Sequence, residues 1–279
     1  MAQILDGKKE AEKIKDEIRK KILNLEKKPG LAVILVGENP ASKIYVNNKE
    51  KDCKEIGFYS EVHRLPEETQ ESTILSLIDK LNNDEKIHGI IVQLPLPKHL
   101  NSIKITNSIL PEKDVDGFTF VNMGKLLTGD YSMVACTPKG CLHLIKQTGI
   151  LIEGKNAVIV GRSNIVGKPM AILLMHSNAT VTICHSKTKN LSEITKTADI
   201  LVAAIGKAKM ITKNMVKEGS IVIDVGMNKD ENNKLCGDVD FENVKEKVAF
   251  ITPVPGGVGP MTRAMLMQNT YEAFLNLTK

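Results

Sequence analysis

Short, wholly apolar runs bounded by turn residues recur along this chain, and they limit its fold more than any other feature. Residues 31–36 read Leu-Ala-Val-Ile-Leu-Val, residues 89–92 Gly-Ile-Ile-Val, residues 156–160 Asn-Ala-Val-Ile-Val. A strand that is apolar at every position is covered on both faces, which is the habit of a parallel sheet under helices. Between these runs lie stretches with helical periodicity. Ile14, Ile18, Ile22 and Leu25 share one face of residues 8–28, and Ile74, Leu75, Ile78 and Leu81 share another. Alternation of the two patterns reads as an α/β fold.

The punctuation suggests two α/β sets. Pro29-Gly30 stops the first helix, and a helix over 42–56 ends before Gly57. The strand 89–92 is closed by Gln93-Leu94-Pro95-Leu96-Pro97, where two prolines forbid further strand or helix. From Asp116-Gly117 to Thr137-Pro138 the chain reads as loop. A second set follows: strand 156–160, a Gly-rich turn, helix 169–176, then strands 180–184, 199–205 and 220–224. That is the rhythm of a Rossmann unit. A Pro/Gly cluster over 252–260 precedes a last helix ending at Leu277. A chain of 279 residues suits two domains at roughly 150 residues each. The expectation is a first domain over 1–139, a Rossmann-like doubly wound parallel sheet over 140–255, and a cleft between them. The terminal helix, 256–279, is expected to pack back on the first domain.

Composition narrows the function classes. The 38 basic and 33 acidic residues are interspersed and leave a net charge of +5, with 4% aromatic residues and no Trp. A nucleic-acid binder concentrates its charge and adds stacking rings, so a small anionic substrate fits better. The longest apolar runs fall far short of the ~18 residues of a membrane span. No basic head precedes an apolar core at the N-terminus, so no secretory leader is expected. Cys53, Cys136, Cys141, Cys184 and Cys236 form no C-x-x-C pair. They read as reduced, buried thiols of a cytoplasmic protein, with no metal-ligand pattern.

Residues 160–169 read Val-Gly-Arg-Ser-Asn-Ile-Val-Gly-Lys-Pro, between a strand and a helix. A phosphate loop belongs there: Gly161 and Gly167 permit a tight turn and let backbone N–H groups approach a pyrophosphate. Ser163 replaces the middle glycine of G-x-G-x-x-G, so the spacing alone also fits an ordinary strand-to-helix turn. The next strand ends Cys-His-Ser-Lys-Thr-Lys, residues 184–189, without the acid that holds a free ribose 2′-hydroxyl. Ser186, Lys187, Lys189 and Arg162 are donors suited to a 2′-phosphate, which favours NADP over NAD.

Tyr45 and Lys49 lie four residues apart in the helix over 42–56 and so share a face. Short-chain dehydrogenases carry a Tyr-x-x-x-Lys pair, but after their nucleotide loop. Here the pair comes long before Gly161, so that assignment fails on order. By spacing alone, a surface Tyr and Lys explain the pair as well.

Five strings then stand in one order: Pro-Ala-Ser-Lys-Ile-Tyr-Val-Asn-Asn-Lys (40–49), Val-Gln-Leu-Pro-Leu-Pro (92–97), Pro-Glu-Lys-Asp-Val-Asp-Gly-Phe (111–118), the loop from Val160 to Met170, and Thr-Pro-Val-Pro-Gly-Gly-Val-Gly-Pro-Met-Thr (252–262). Together they closely resemble the bifunctional methylenetetrahydrofolate dehydrogenase/methenyltetrahydrofolate cyclohydrolase family over nearly the whole chain. The resemblance implies NADP-dependent oxidation of 5,10-methylene-tetrahydrofolate and hydrolysis of the methenyl product to 10-formyl-tetrahydrofolate. This is one-carbon metabolism that feeds purine and methionine biosynthesis. It implies that Lys49 is the catalytic lysine, with Tyr45 and Gln93 beside it, and that Asp116 grips the pterin. It implies folate contacts from Val92, Gln93 and Leu94 and from Pro255, Gly256, Gly257, Val258 and Gly259. NADP contacts fall on Gly161, Arg162, Ser163, Ser186 and Met227, the last where the family usually has Ile. A homodimer is implied as well.

The residue types suit that chemistry. Hydride loss leaves a cation delocalised over two nitrogens, so the protein's task is mainly positioning. Hydrolysis needs a proton carrier, and a lysine serves near neutral pH when desolvation or a nearby cation loosens its proton. A neutral partner such as Gln93 leaves that proton mobile. A carboxylate such as Asp116 accepts two N–H donors from an aminopyrimidine edge.

Overall fold

The computed structural model describes residues 1–279. In chain order the elements are β1 (Gln3–Ile4), α1 (Gly7–Ile22), β2 (Gly30–Val36), α2 (Pro40–Ile56), β3 (Tyr59–Leu65), α3 (Glu71–Asn82), β4 (Gly89–Val92), α4 (Ser102–Thr106) and α5 (Phe120–Thr128). There follow α6 (Cys136–Gln147), β5 (Asn156–Val160), α7 (Gly167–His176), β6 (Thr180–Cys184), α8 (Leu191–Thr195), β7 (Ile200–Ala203), β8 (Ile221–Asp224), the short β9 (Asn228–Lys229) and β10 (Leu235–Cys236), α9 (Phe241–Val244), β11 (Phe250–Ile251) and α10 (Val258–Leu277). The chain forms two units. One comprises residues 12–136 and 263–279, the other residues 1–11 and 137–262.

The first unit is built on a three-stranded parallel sheet in the order β3-β2-β4. β2 is the central strand and is buried at all seven positions, as its unbroken apolar run requires. Ile74, Ile78 and Leu81 of α3 pack with Ala32, Ile34, Ile90 and Val92 in one core cluster. α2 begins at the Asn39 cap, whose side chain accepts from the Ser42 N–H, and stops at Gly57 in the left-handed region. α1 ends at Ile22, short of the 28 expected, and its end is capped by Lys28 Nζ, which donates to the carbonyls of Ile22 (2.7 Å) and Leu23 (3.1 Å). β3 escaped the sequence reading: it is an edge strand whose Ser, Glu, His and Arg residues break the apolar signal. The stretch after Gly117 is not all loop. α5 starts where the Thr119 side chain accepts from Asn122 N and ends at Gly129, φ 86°.

The second unit is a six-stranded, all-parallel sheet in the order β1-β11-β8-β7-β5-β6. Strand order reverses beside β5, the switch point where doubly wound sheets bind ligands at their carboxyl ends. Val158, Val160, Leu201, Ala203 and Val222 form its core with Val239 and Ile251. Residues 1–11 belong here because β1 pairs with β11 at the sheet's end, Gln3 opposite Phe250. Two residues are too few for a periodic signal, so this strand leaves no mark in the sequence.

His88 gives the first unit a pH dependence. It is 3% exposed, its Nδ1 accepts from the Gly30 N–H at 3.0 Å, and its ring meets Phe274 edge-on at 4.9 Å. Burial, helped by the positive charges of Lys113 and Lys27, pulls its pKa down from 6.5 to about 4. The folded chain therefore binds fewer protons than the unfolded chain between these values, and stability falls as pH drops from about 6.5 towards 4. Unfolding midpoints measured across that range should fall for the wild type, and should fall less for His88→Asn, which keeps an acceptor without the titration.

Candidate active site

Lys49 projects from the middle of α2, one turn after Tyr45. Its Nζ donates to Gln93 Oε1 at 3.1 Å across 44 residues of sequence. Gln93 is fixed in turn. Its backbone N–H donates to the Ile34 carbonyl at 2.9 Å, continuing the sheet beyond β4, and its Nε2 donates to the Leu94 carbonyl at 2.7 Å. That second bond turns Oε1 towards Lys49. Val92 is buried, and the Leu94–Pro95 peptide is cis.

The carboxylates next to Lys49 on α2 have cations of their own. Glu50 pairs with Lys54 at 2.8 Å and Arg64 at 3.6 Å. Asp52, 2% exposed, pairs with Lys15 at 3.2 Å and Arg263 at 3.1 Å. The side-chain hydrogen bond of Lys49 goes to a neutral amide.

Asp116 follows a buried loop on the same unit. Burial pushes its carboxyl above the usual range, the Lys49 ammonium pulls against this, and the Asp114 charge adds to it. Cys136 Sγ lies 3.8 Å from its Oδ1. Burial also raises the Tyr45 hydroxyl. Tyr45, Lys49, Val92, Gln93, Leu94 and Asp116 thus all lie in the first unit.

The second unit holds the remaining candidates. Gly161 follows β5 with φ 136°, and a Cβ there would lie 2.2 Å from the Ala204 carbonyl oxygen. Gly167 opens α7, and a Cβ on it would lie 2.2 Å from the Gly161 oxygen. Ser163 Oγ accepts from the N–H groups of Val166 (3.1 Å) and Gly167 (3.3 Å), so the serine in the middle position caps the helix start. The cradle is therefore closed to side chains and lined by backbone, as a pyrophosphate requires. Arg162 and Ser186 are exposed, at the ends of the neighbouring strands β5 and β6. Met227, also exposed, follows β8, and its Cε would lie 3.7 Å from a Cβ on Gly259. Pro255, Gly256 and Gly257 lead into Val258 and Gly259, the first residues of α10. Gly256 accepts from the Lys8 N–H at 2.9 Å, and Gly7 packs so closely on Gly257 that a Cβ would sit 1.8 Å from its oxygen.

Sequence reasoning did not find two buried acids of this unit. Asp238, wholly buried, accepts from the N–H groups of Ile205, Gly206 and Lys207 and from Asn228 Nδ2. Asp224 accepts from the N–H groups of Gly226, Asp238 and Val239, and burial lifts its pKa to about 6. Together they bracket Met227 between two held neighbours. Asp-Val-Gly and Gly-Asp-Val, short acid-and-glycine turns, are the signal that carried them.

Two family models match the chain. Residues 5–116 match the tetrahydrofolate dehydrogenase/cyclohydrolase catalytic domain, and residues 135–278 match the NAD(P)-binding domain of the same enzymes. The chain belongs to the tetrahydrofolate dehydrogenase/cyclohydrolase family. It is 56% identical to the bifunctional protein FolD of Moorella thermoacetica over 98% of both chains. The FolD structure from Campylobacter jejuni superposes with a TM-score of 0.97 at 49% identity, covering 99% of each chain. That from Trypanosoma brucei, complexed with NADP and an inhibitor, superposes with a TM-score of 0.95 at 35% identity, covering 100% of this chain and 99% of its own. The chain therefore carries the catalytic and NAD(P)-binding domains of a two-activity enzyme of one-carbon folate interconversion. No helix is long and apolar enough to cross a membrane.

Proposed function

We propose that this enzyme oxidises 5,10-methylene-tetrahydrofolate with NADP and hydrolyses the methenyl product to 10-formyl-tetrahydrofolate, with Lys49 carrying the proton of the second step. The observation that carries the reading is the hydrogen bond from Lys49 to a neutral, doubly held Gln93. NADP supplies the hydride acceptor when bound. Gly161, Ser163 and the start of α7 hold its pyrophosphate, and Arg162 and Ser186 supply donors for a 2′-phosphate.

In hydrolysis, water adds to the carbon between the two ring nitrogens. The added water carries two protons. Lys49 Nζ, as the neutral amine, takes one and returns it to the ring nitrogen as the C–N bond breaks, and the other leaves the hydroxyl to solvent as the formyl carbonyl forms. The positive charge of the methenyl substrate loosens the proton of a neighbouring ammonium, and the amide of Gln93 accepts its hydrogen bond without pinning the charge. Tyr45, on the same face of α2, bounds the substrate ring. Asp116 accepts the N–H donors of the pterin edge, while Val92, Leu94 and the 255–259 segment contribute folate contacts. Domain limits near 139 and 255 remain part of the same reading.

A spectrophotometric assay tests it. Methylene-tetrahydrofolate is given with NADP, with NAD and with neither, and the methenyl compound is given alone. Reduction of NADP together with loss of the methenyl signal is the expected result. Methenyl loss without cofactor reduction would leave a cyclohydrolase alone, and no change in either would leave a binding protein. In the same assay, Arg162→Ala should raise the KM for NADP roughly 10- to 100-fold, the value of one charge-assisted hydrogen bond, and leave that for NAD unchanged.

A homodimer and a cytoplasmic location belong to the proposal. β6 is the outer strand of its sheet and leaves Ile183 40% exposed, a feature that a second copy would cover. Sedimentation at twice 30.7 kDa is the expected result. All five cysteines are free and buried, which suits a reducing compartment.

A further inference from the structure

We infer that Asn269 is a positioning residue for Asp116. The inference rests on the reading of Asp116 as the carboxylate that grips the pterin. Asn269 lies on α10, fully buried, more than 150 residues along the chain from Asp116. Its Nδ2 donates to the Val115 carbonyl at 2.8 Å and to the Val134 carbonyl at 2.9 Å, and stands 3.6 Å from Cys136 Sγ.

Those two carbonyls belong to the segments that enclose Asp116. Val115 precedes it in the chain. Val134 backs Gly117, where a Cβ would lie 2.9 Å from the Val134 carbonyl carbon and 2.7 Å from Ala135 N. One amide group thus ties both segments together. The far side of the turn is held separately: the Asp114 carboxylate accepts from the N–H groups of Phe118 (3.1 Å) and Thr119 (2.8 Å) and from Asn122 Nδ2 (2.9 Å). The side-chain hydrogen bond of the Asp116 carboxylate is with the thiol of Cys136, at 3.8 Å. Its direction therefore follows from the backbone, and the backbone is fixed by Asn269 on one side and Asp114 on the other. A carboxylate that accepts two parallel N–H donors loses most of its value when tilted, since hydrogen bonds weaken steeply off axis.

The test is a double-mutant cycle with Asp116→Ala. Asn269→Leu keeps the volume and removes both donors. Binding of 5-formyltetrahydrofolate, which retains the aminopyrimidine edge, is measured by calorimetry, and NADP is titrated into the same samples. Asn269→Leu should weaken folate binding about tenfold in the otherwise unchanged chain, the effect of a small misplacement. It should cost nothing further when Asp116 is already Ala, and should leave NADP binding unchanged. The folate KM of both activities should rise by the same factor. Equal weakening in the two backgrounds would overturn the inference, as would a lower melting temperature with folate binding intact. If Asp116→Ala alone does not weaken binding, the reading of Asp116 fails and the inference fails with it. Should the Leu variant not fold, Asn269→Ser, which keeps one donor, enters the same cycle with the same outcomes.

Discussion

Lys49→Met is expected to lower the hydrolysis of methenyl-tetrahydrofolate about 10³-fold, the usual value of a positioned proton carrier. Met keeps the length of the side chain and its apolar stem, so α2 and its packing stay as they are. What is lost is the amine that meets Gln93 and can take a proton. The dehydrogenase half needs no proton from the protein, because hydride loss leaves a cation that the two nitrogens share. NADP reduction should therefore fall by no more than about tenfold, the value of one hydrogen bond to the substrate. Folate binding should persist, and a calorimetric titration alongside the two assays checks this. Gln93→Glu gives the complementary result. A carboxylate at 3.1 Å would hold the ammonium in its charged form, so hydrolysis should slow while the fold stays intact. Hydrolysis at the wild-type rate in Lys49→Met would remove Lys49 from the mechanism.

The parts of this molecule that were legible in the sequence are those with a repeated signal. β2, β4, β5 and β8 are buried at nearly every position, and their unbroken apolar runs gave them away. The parallel nucleotide sheet followed from their spacing. β3 and β1 were not legible for different reasons. β3 lies at a sheet edge and carries polar residues, while β1 is two residues long and exists only because β11 offers it a partner. α5 was missed although its caps, Thr119 and Gly129, were in view, because its short apolar pattern looked like loop. α1 stops at Ile22, and the side chain of Lys28, six residues on, caps its last carbonyl.

Site residues divide in the same way. Tyr45 and Lys49 share a face by arithmetic, and Gly161 and Gly167 stand where a strand-to-helix turn needs them. The bond between Lys49 and Gln93 joins positions 44 residues apart and depends on how α2 lies on the sheet. No spacing rule gives it. Asp224 and Asp238 are harder still. Each is a buried acid satisfied by backbone N–H groups, and such acids look in sequence like ordinary turn residues.

Gly161→Ala is the counterpart of Lys49→Met and should remove the other activity. At φ 136° an L side chain is strained, and its Cβ would meet the Ala204 carbonyl oxygen at 2.2 Å and the carbonyl carbon at 3.0 Å. Neither can yield easily. Ala204 N donates to the Val160 carbonyl at 2.8 Å, and Gly161 N donates to the Cys184 carbonyl at 2.9 Å, so the glycine is stitched between the ends of β7 and β6. The loop must shift by about an ångström, which is enough to cost on the order of 100-fold in binding. NADP affinity should fall by that factor, and the melting temperature by about 5 °C for a few kcal/mol of strain and displaced backbone. Hydrolysis of the methenyl compound supplied alone should hold up far better than NADP reduction, since Lys49, Gln93 and Asp116 all belong to the other unit. Gly219→Ala is the control. It has φ 72° but open space around the position, at the amino end of β8. It should carry the backbone strain alone, with a smaller loss of stability and NADP binding unchanged. Equal NADP affinity in Gly161→Ala and Gly219→Ala would mean that the turn after β5 does not hold the nucleotide.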